Sequence, residues 1–149
     1  DINNKTLVSS EVLEIGLSDH TNFVKITFED NSAIVSTPDH PYLKSNGNWA
    51  AVAADRALTS YSYTSIEKIN MGDELLIRKG SEVKAVKILK IESFKKKQVS
   101  YTIMKLSIGK SFIVNDVIVG AEELREFIVK TPQGKSARKI FKKCPPSGM

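Results

Sequence analysis

The chain has 149 residues, of which 41% are hydrophobic and 26% are charged, and its formal net charge is +5. This length suits one domain with a sizeable core. No apolar run approaches the ~18 residues that a membrane-spanning helix needs, which excludes that class of membrane protein. Residue 1 is Asp and no targeting signal opens the chain. We therefore interpret the sequence as an excerpt or a processed piece of a protein. Its cellular localisation cannot be inferred from this sequence.

The positive charge is concentrated at the C-terminal end. Six of the 22 basic residues and none of the 17 acidic residues lie between Lys130 and Met149, so the rest of the chain has a net charge close to −1. A basic tail of this kind is more typical of a solvated linker than of a segment that recognises a groove of a nucleic acid. The charge distribution therefore argues against nucleic-acid binding by the fold itself.

Cys144, in this tail, is the single cysteine of the chain. One thiol cannot form an internal disulfide, and His20 and His40 do not complete a zinc ligand set with it at a recognisable spacing. We expect no metal and no cofactor, and we interpret Cys144 as an exposed thiol.

The residue pattern in the first third of the chain predicts strands. Apolar residues in 7–15 favour a strand, and the cluster Ser18 to Asn22, which contains His20, predicts a turn. Near alternation in 23–28 predicts a second strand, which forms a hairpin with 33–36.

In the middle of the chain, turn residues at 44–48 precede Trp49, which we expect to pack against the core. The alanine-rich stretch 50–57 predicts one or two helical turns, and 58–65 is interpreted as extended. Gly72-Asp73 predicts a turn into a short strand at 75–77.

The following segment predicts further strands. Residues 83–91 alternate apolar and lysine positions, Lys95 to Lys97 predict a loop, and 99–103 have a period of two. Asn115-Asp116 predicts a two-residue hairpin turn before Val117 to Val119. Many short strands with turns between them indicate an all-β domain over residues 1–121.

The pattern then changes to that of a helix. Residues 122–130 place Leu124, Phe127 and Ile128 on one face, with acidic residues in the first turn and Lys130 at the end. We expect a short amphipathic helix over 122–130. Residues 131–149 are interpreted as a basic tail or linker.

The most informative run of the sequence is Ser36-Thr37-Pro38-Asp39-His40-Pro41-Tyr42. Two prolines hold it in a non-helical conformation and thereby fix a hydroxyl and an imidazole three positions apart. This pair suits acyl chemistry, because His40 can protonate a leaving amide nitrogen while Thr37 supports the polarised carbonyl. The alternative interpretation is that His40 is a capped loop histidine and Thr37 a strand-end hydroxyl.

The order of these motifs resembles the Hint superfamily, which comprises inteins, hedgehog autoprocessing domains and bacterial intein-like domains. The resemblance rests on Val35 to Tyr42, on Asn48 to Val52, on Ile66 to Leu76, and on Tyr101 to Leu106 with the hairpin Ser111 to Val119. It implies an all-β Hint-like fold of many short strands and hairpins, with the predicted helix at the C-terminal end.

The resemblance also implies a chemistry. Hint domains begin at a cysteine or serine that attacks the preceding peptide bond, and Thr37 and His40 match the Thr-x-x-His pair that assists it. Intein-type members end in His-Asn, whose asparagine cyclises, but Gly120 and Ala121 stand at the corresponding positions. The cysteine-led opening is also missing ahead of Asp1. We therefore expect the chain alone to be inactive and unable to splice.

Two functions follow as hypotheses. The chain is either part of a Hint-type autoprocessing domain, or a non-catalytic β module whose basic tail binds an acidic partner or nucleic acid. The first implies that its partner is its own upstream segment, joined or added in trans, and that without this segment an exposed strand edge allows weak self-association. A Cys or Ser shortly upstream of Asp1 would favour the first hypothesis.

Overall fold

The computed structural model describes residues 8–130 and 136–140, with side chains for residues 8–125. This part of the chain contains eleven strands and one helix. The strands are β1 (Val12–Phe28), β2 (Ala33–Ser36), β3 (Tyr42–Leu43), β4 (Trp49–Ala51), β5 (Glu67–Lys68), β6 (Glu74–Lys79), β7 (Glu82–Leu106), β8 (Ser111–Val114), β9 (Val117–Gly120), β10 (Glu126–Lys130) and β11 (Ser136–Ile140), and the helix is α1 (Ala54–Ser60). The predicted all-β class is confirmed.

Nine strands form one sheet in the order β2-β1-β7-β6-β9-β3-β4-β5, with β8 paired to β9. All pairs are antiparallel except β4 with β5. Because β9 pairs with β3, β6 and β8, the end of β9 lies close to the turn that precedes β3. This arrangement places the end of β9 beside the Thr37 to His40 turn, and the Gly120 N–H donates to the Pro41 carbonyl.

The longest pairing joins β1 to β7, from Val12 opposite Leu106 to Phe28 opposite Ile88. The predicted turn at 18–22 is wrong, because these residues lie within β1, and the predicted loop at 95–97 lies within β7. An irregularity in the register at residues 20–22 accommodates the turn-forming residues without ending the strand. Polar side chains are tolerated there because this part of the hairpin is largely exposed to solvent.

Several predicted turns are confirmed by their backbone geometry. The hairpin between β8 and β9 turns at Asn115 and Asp116, whose φ values of 48° and 64° are those of a two-residue turn with left-handed residues. Gly72 has a φ of 88°, a conformation in which glycine is favoured. The helical turns predicted for 50–57 are confirmed in part, because α1 begins at Ala54 and extends to Ser60.

The predicted helix at 122–130 is wrong. The backbone N–H of Glu122 donates to the Ile103 carbonyl and that of Arg125 to the Ser60 carbonyl, so both bond to distant elements. Residues 126–130 form β10, which pairs with β11, part of the predicted tail. The run Phe127-Ile128-Val129 has a high strand propensity, whereas a helix of nine residues has little intrinsic stability. The remaining tail residues, 131–135 and 141–149 with Cys144, lie outside the described residues.

Two groups of buried side chains pack near the Thr37 to His40 turn. The larger one lies within the sheet and includes Ile26, Tyr42, Leu75 and Val119. The smaller one joins α1 to β4 and consists of Ala51, Ala57, Tyr61 and Tyr63, with Trp49 packed against it. The predicted packing of Trp49 against the core is thus confirmed.

Candidate active site

The Thr37 to His40 turn follows β2 directly and leads into β3. The His40 N–H donates to the Thr37 carbonyl over 3.2 Å, and the Pro38 carbonyl accepts a hydrogen bond of 2.8 Å from the Ala53 N–H. Pro38 and Pro41 restrict the backbone further, because each fixes its own φ and limits the residue before it. The turn therefore holds its side chains in defined positions.

Asp39 is the most buried residue of this turn, with 1% of its surface exposed. Its Oδ1 accepts a hydrogen bond of 2.9 Å from the Thr37 hydroxyl, and its Oδ2 accepts one of 3.3 Å from the Tyr61 hydroxyl. Burial, together with the nearby charges of Glu122 and Asp39, raises the pKa of Tyr61 far above its ordinary value. Tyr61 therefore remains a protonated donor, and the Thr37 hydroxyl is engaged within its own turn.

The imidazole of His40 contacts a buried carboxylate. Its Nδ1 lies 3.1 Å from Oε1 of Glu122, and the two side chains are 12% and 7% exposed. The Thr102 hydroxyl on β7 donates to the same oxygen over 2.8 Å. When Glu122 is ionised, its carboxylate can only accept hydrogen bonds, so the hydrogen of this contact is then on Nδ1 of His40.

Aromatic rings enclose the same imidazole. Tyr42 and Phe112 both meet it edge to face, with ring centroids 5.5 Å and 6.4 Å away. Tyr42 is fully buried and donates its hydroxyl to Ser36 Oγ over 2.6 Å, and burial raises its pKa. Apolar walls of this kind exclude water and strengthen the interaction between His40 and Glu122.

The two residues predicted to be catalytic, Thr37 and His40, thus lie in one turn, and each contacts a different buried carboxylate. No sequence motif indicates that Glu122, Thr102 or Tyr61 belongs to this site. Glu122 lies 82 positions from His40 in the sequence. No local signal could have found it, because only the pairing of the strands brings the two together.

The two residues after Val119 are tightly enclosed. A Cβ atom at Gly120 would lie 2.9 Å from Cζ3 of Trp49 and would also meet the Tyr63 hydroxyl. That hydroxyl donates to the Ala121 carbonyl over 2.6 Å, and Ala121 is 1% exposed. Any side chain at position 120 would therefore force its neighbours to shift.

The described residues contain no group of three or more His, Cys, Asp or Glu side chains arranged to hold a metal ion. No helix in residues 8–130 or 136–140 is long and apolar enough to cross a membrane.

Several solved inteins have a similar fold. The DnaB intein from Synechocystis sp. superposes with a TM-score of 0.60 at 16% identity, over 80% of this chain and 73% of that chain. The gp41-1 intein has a TM-score of 0.51 at 20% identity, over 74% of this chain and 72% of that chain. The transcription factor IIB Mvu mini-intein has a TM-score of 0.55 at 16% identity, over 74% of this chain and 63% of that chain. No protein-family model and no curated protein matches the sequence. The chain therefore has the Hint fold of the inteins.

Proposed function

We propose that this chain is part of a Hint-type autoprocessing domain, which cleaves the peptide bond on its N-terminal side through an acyl shift. The observation that carries the proposal is the His40 imidazole, fixed at Nδ1 by Glu122 in the same turn as Thr37. The similarity of the fold to inteins supports the same class of reaction.

His40 is the proton donor in this reaction. The attacking thiol or hydroxyl loses its proton and forms a bond to the carbonyl carbon of the preceding residue. The carbon–nitrogen bond breaks as the imidazole delivers a proton to the amide nitrogen, so that a thioester or ester and a free amine result. No net proton is consumed, because the nucleophile releases one and the amine takes one up.

Thr37 and Glu122 support this step without transferring a proton. Thr37 hydrogen-bonds the polarised carbonyl oxygen when its hydroxyl turns away from Asp39, its partner in the present structure. Glu122 is a positioning residue, because it acts on the reaction only through the orientation of the His40 ring.

The nucleophile would be a cysteine or serine on a segment that precedes Asp1. The second reaction of inteins, asparagine cyclisation, is not part of the proposal, because Gly120 and Ala121 replace His-Asn and the packing around Gly120 leaves no room for a side chain. The proposed activity is thus cleavage without splicing.

Cleavage can be tested in the protein that carries its natural sequence upstream of Asp1. Incubation with a strong thiol, followed by mass spectrometry, should yield a defined product ending at the residue before the nucleophile. His40→Ala should slow its formation by about 10²-fold or more, and Thr37→Ala should have a smaller effect. His20→Gln, at the other histidine of the chain, is the matched control and should cleave at the parent rate. Equal rates for His40→Ala and the parent would refute the assignment.

A second function, that of a non-catalytic β module, is favoured by the burial of Thr37 in the Thr37 to His40 turn. Thr37 is only 7% exposed, and its hydroxyl is already donated to Asp39. In this function the buried network stabilises the fold, and the basic residues of 131–149 bind an acidic partner or nucleic acid. Absence of cleavage in a protein whose upstream flank contains no Cys or Ser would favour it.

A further inference from the structure

An open pocket of about 810 Å³ lies beside the end of α1, and His40 is not among the residues that line it. Its walls are formed by Trp49, by the segment that follows α1, and by two cationic side chains, Lys110 and Arg125. Ser62 and Thr64 add polar groups, and none of the residues that line the pocket is acidic. The pocket is therefore distinctly positive.

The two cations are held in place by backbone carbonyls. One terminal nitrogen of Arg125, Nη2, donates to the carbonyls of Leu58 and Tyr63, both over 2.8 Å, and the Lys110 ammonium donates to the Ser62 carbonyl. A guanidinium has five N–H donors and an ammonium three, so these bonds use only part of their capacity. Among the side chains of residues 8–125, neither cation has a carboxylate within 4.0 Å.

The charges around the Lys110 ammonium affect its pKa. Burial lowers the pKa of Lys110, the charge of Glu123 raises it in part, and the charge of Arg125 adds a smaller lowering effect. Two neighbouring cations in a partly buried site repel each other, and an anion that contacts both would relieve this repulsion.

An aromatic surface lies next to the cations. The rings of Trp49 and Tyr63 meet edge to face with centroids 5.4 Å apart, and the Lys110 ammonium lies 4.5 Å from the centre of the Tyr63 ring. Trp49 is half-buried, so part of its ring faces the pocket. A flat ligand can pack on this surface while its charged group reaches the cations.

We propose that this pocket binds an organic oxyanion, a carboxylate or phosphate group attached to a flat ring, with the charge on Lys110 and Arg125 and the ring on Trp49. This inference does not depend on the proposed cleavage reaction. It concerns a site that is separate from the Thr37 to His40 turn and that is present in the chain as it stands.

The fluorescence of Trp49 reports directly on this pocket, because it is the only tryptophan of the chain. Benzoate and its neutral analogue benzamide test for a carboxylate, and AMP and adenosine test for a phosphate. Saturable quenching or a spectral shift with one or both anions, and at least about tenfold weaker binding of the neutral analogue, is the expected result. No change with either anion, or equal binding of charged and neutral analogues, would overturn the proposal.

Variants identify the cations that bind the ligand. Lys110→Gln and Arg125→Gln retain hydrogen-bond donors and should each weaken binding of the anion by about tenfold or more. Lys90→Gln removes a charge from an exposed side chain outside the pocket and should leave binding unchanged. Thermal melting shows which variants are folded, and a folded Lys110→Gln protein that binds as tightly as the parent would contradict the assignment.

Discussion

The Nδ1 atom of His40 and the Oε1 atom of Glu122 are 3.1 Å apart, although 82 positions separate the two residues. Glu122 is held there by its backbone, whose N–H donates to the Ile103 carbonyl, and by its side chain, which accepts a hydrogen bond from Thr102. Because three segments meet at this carboxylate, the orientation of the His40 ring depends on residues that lie far apart in the sequence.

Replacing Glu122 by glutamine tests this dependence. The amide retains the shape of the side chain but removes its charge, and its NH₂ group can face Nδ1 and favour the opposite tautomer. We expect Glu122→Gln to slow the proposed cleavage by about tenfold or more and to change the pH profile of the rate. Glu123→Gln, at the next residue, is the matched control. If Glu122→Gln leaves both the rate and the pH profile unchanged, Glu122 does not position His40.

The packing around Gly120 gives a prediction on stability. Since a Cβ atom there would lie 2.9 Å from the rigid ring of Trp49, Gly120→Ala should lower the free energy of unfolding by about 1–3 kcal/mol. At Gly16 the nearest atom to such a Cβ is the Met104 sulfur at 2.8 Å, which belongs to a flexible side chain. Urea unfolding should therefore show a smaller loss for Gly16→Ala, and equal losses would mean that Trp49 and Tyr63 move aside readily.

Local chemistry was sufficient to predict several elements of the fold. The turn at Asn115-Asp116 was predictable because few residues adopt a positive φ readily. The non-helical conformation around Thr37 was predictable because prolines restrict their neighbours as well as themselves.

Long-range pairing explains the elements that were predicted wrongly. Ser18 to Asn22 and Lys95 to Lys97 have the composition of turns, but Asn22 pairs with Lys95 and both segments lie within the paired strands β1 and β7. The predicted helix at 122–130 has a helical pattern of apolar residues, but hydrogen bonds from Glu122 and Arg125 to distant carbonyls hold the chain extended. The role of Glu122 in the site was unpredictable for the same reason.

Buried tyrosines predict a loss of stability at alkaline pH. Burial is the main cause that raises the pKa of Tyr42, Tyr61 and Tyr63 above the ordinary value of 10.0. Their contribution to stability is complete below the pKa of the unfolded state and is lost as the pH rises above it, because only the unfolded chain then ionises. We expect the free energy of unfolding to fall steadily above about pH 10.

The Tyr61→Phe variant should make this fall less steep, because it removes one of the three hydroxyls that ionise on unfolding. Tyr101→Phe is the control, since Tyr101 is 76% exposed. Urea unfolding at a series of pH values measures both slopes. A slope for Tyr61→Phe as steep as that of the parent would contradict the assignment of the alkaline loss to these side chains.

The last prediction separates two roles of the Thr37 hydroxyl, which donates to Asp39 in the buried turn and is proposed to support the carbonyl oxygen during cleavage. Thr37→Val has nearly the same shape and should lower the free energy of unfolding by about 1–3 kcal/mol, because a buried oxygen of Asp39 loses a donor. Asp39→Asn weakens the same contact but leaves the hydroxyl in place, so it should have little effect on the rate of cleavage. Rates measured where all variants are folded should therefore fall for Thr37→Val and recover in Thr37→Ser. Equal losses for Thr37→Val and Asp39→Asn would mean that the hydroxyl acts only by holding the turn together.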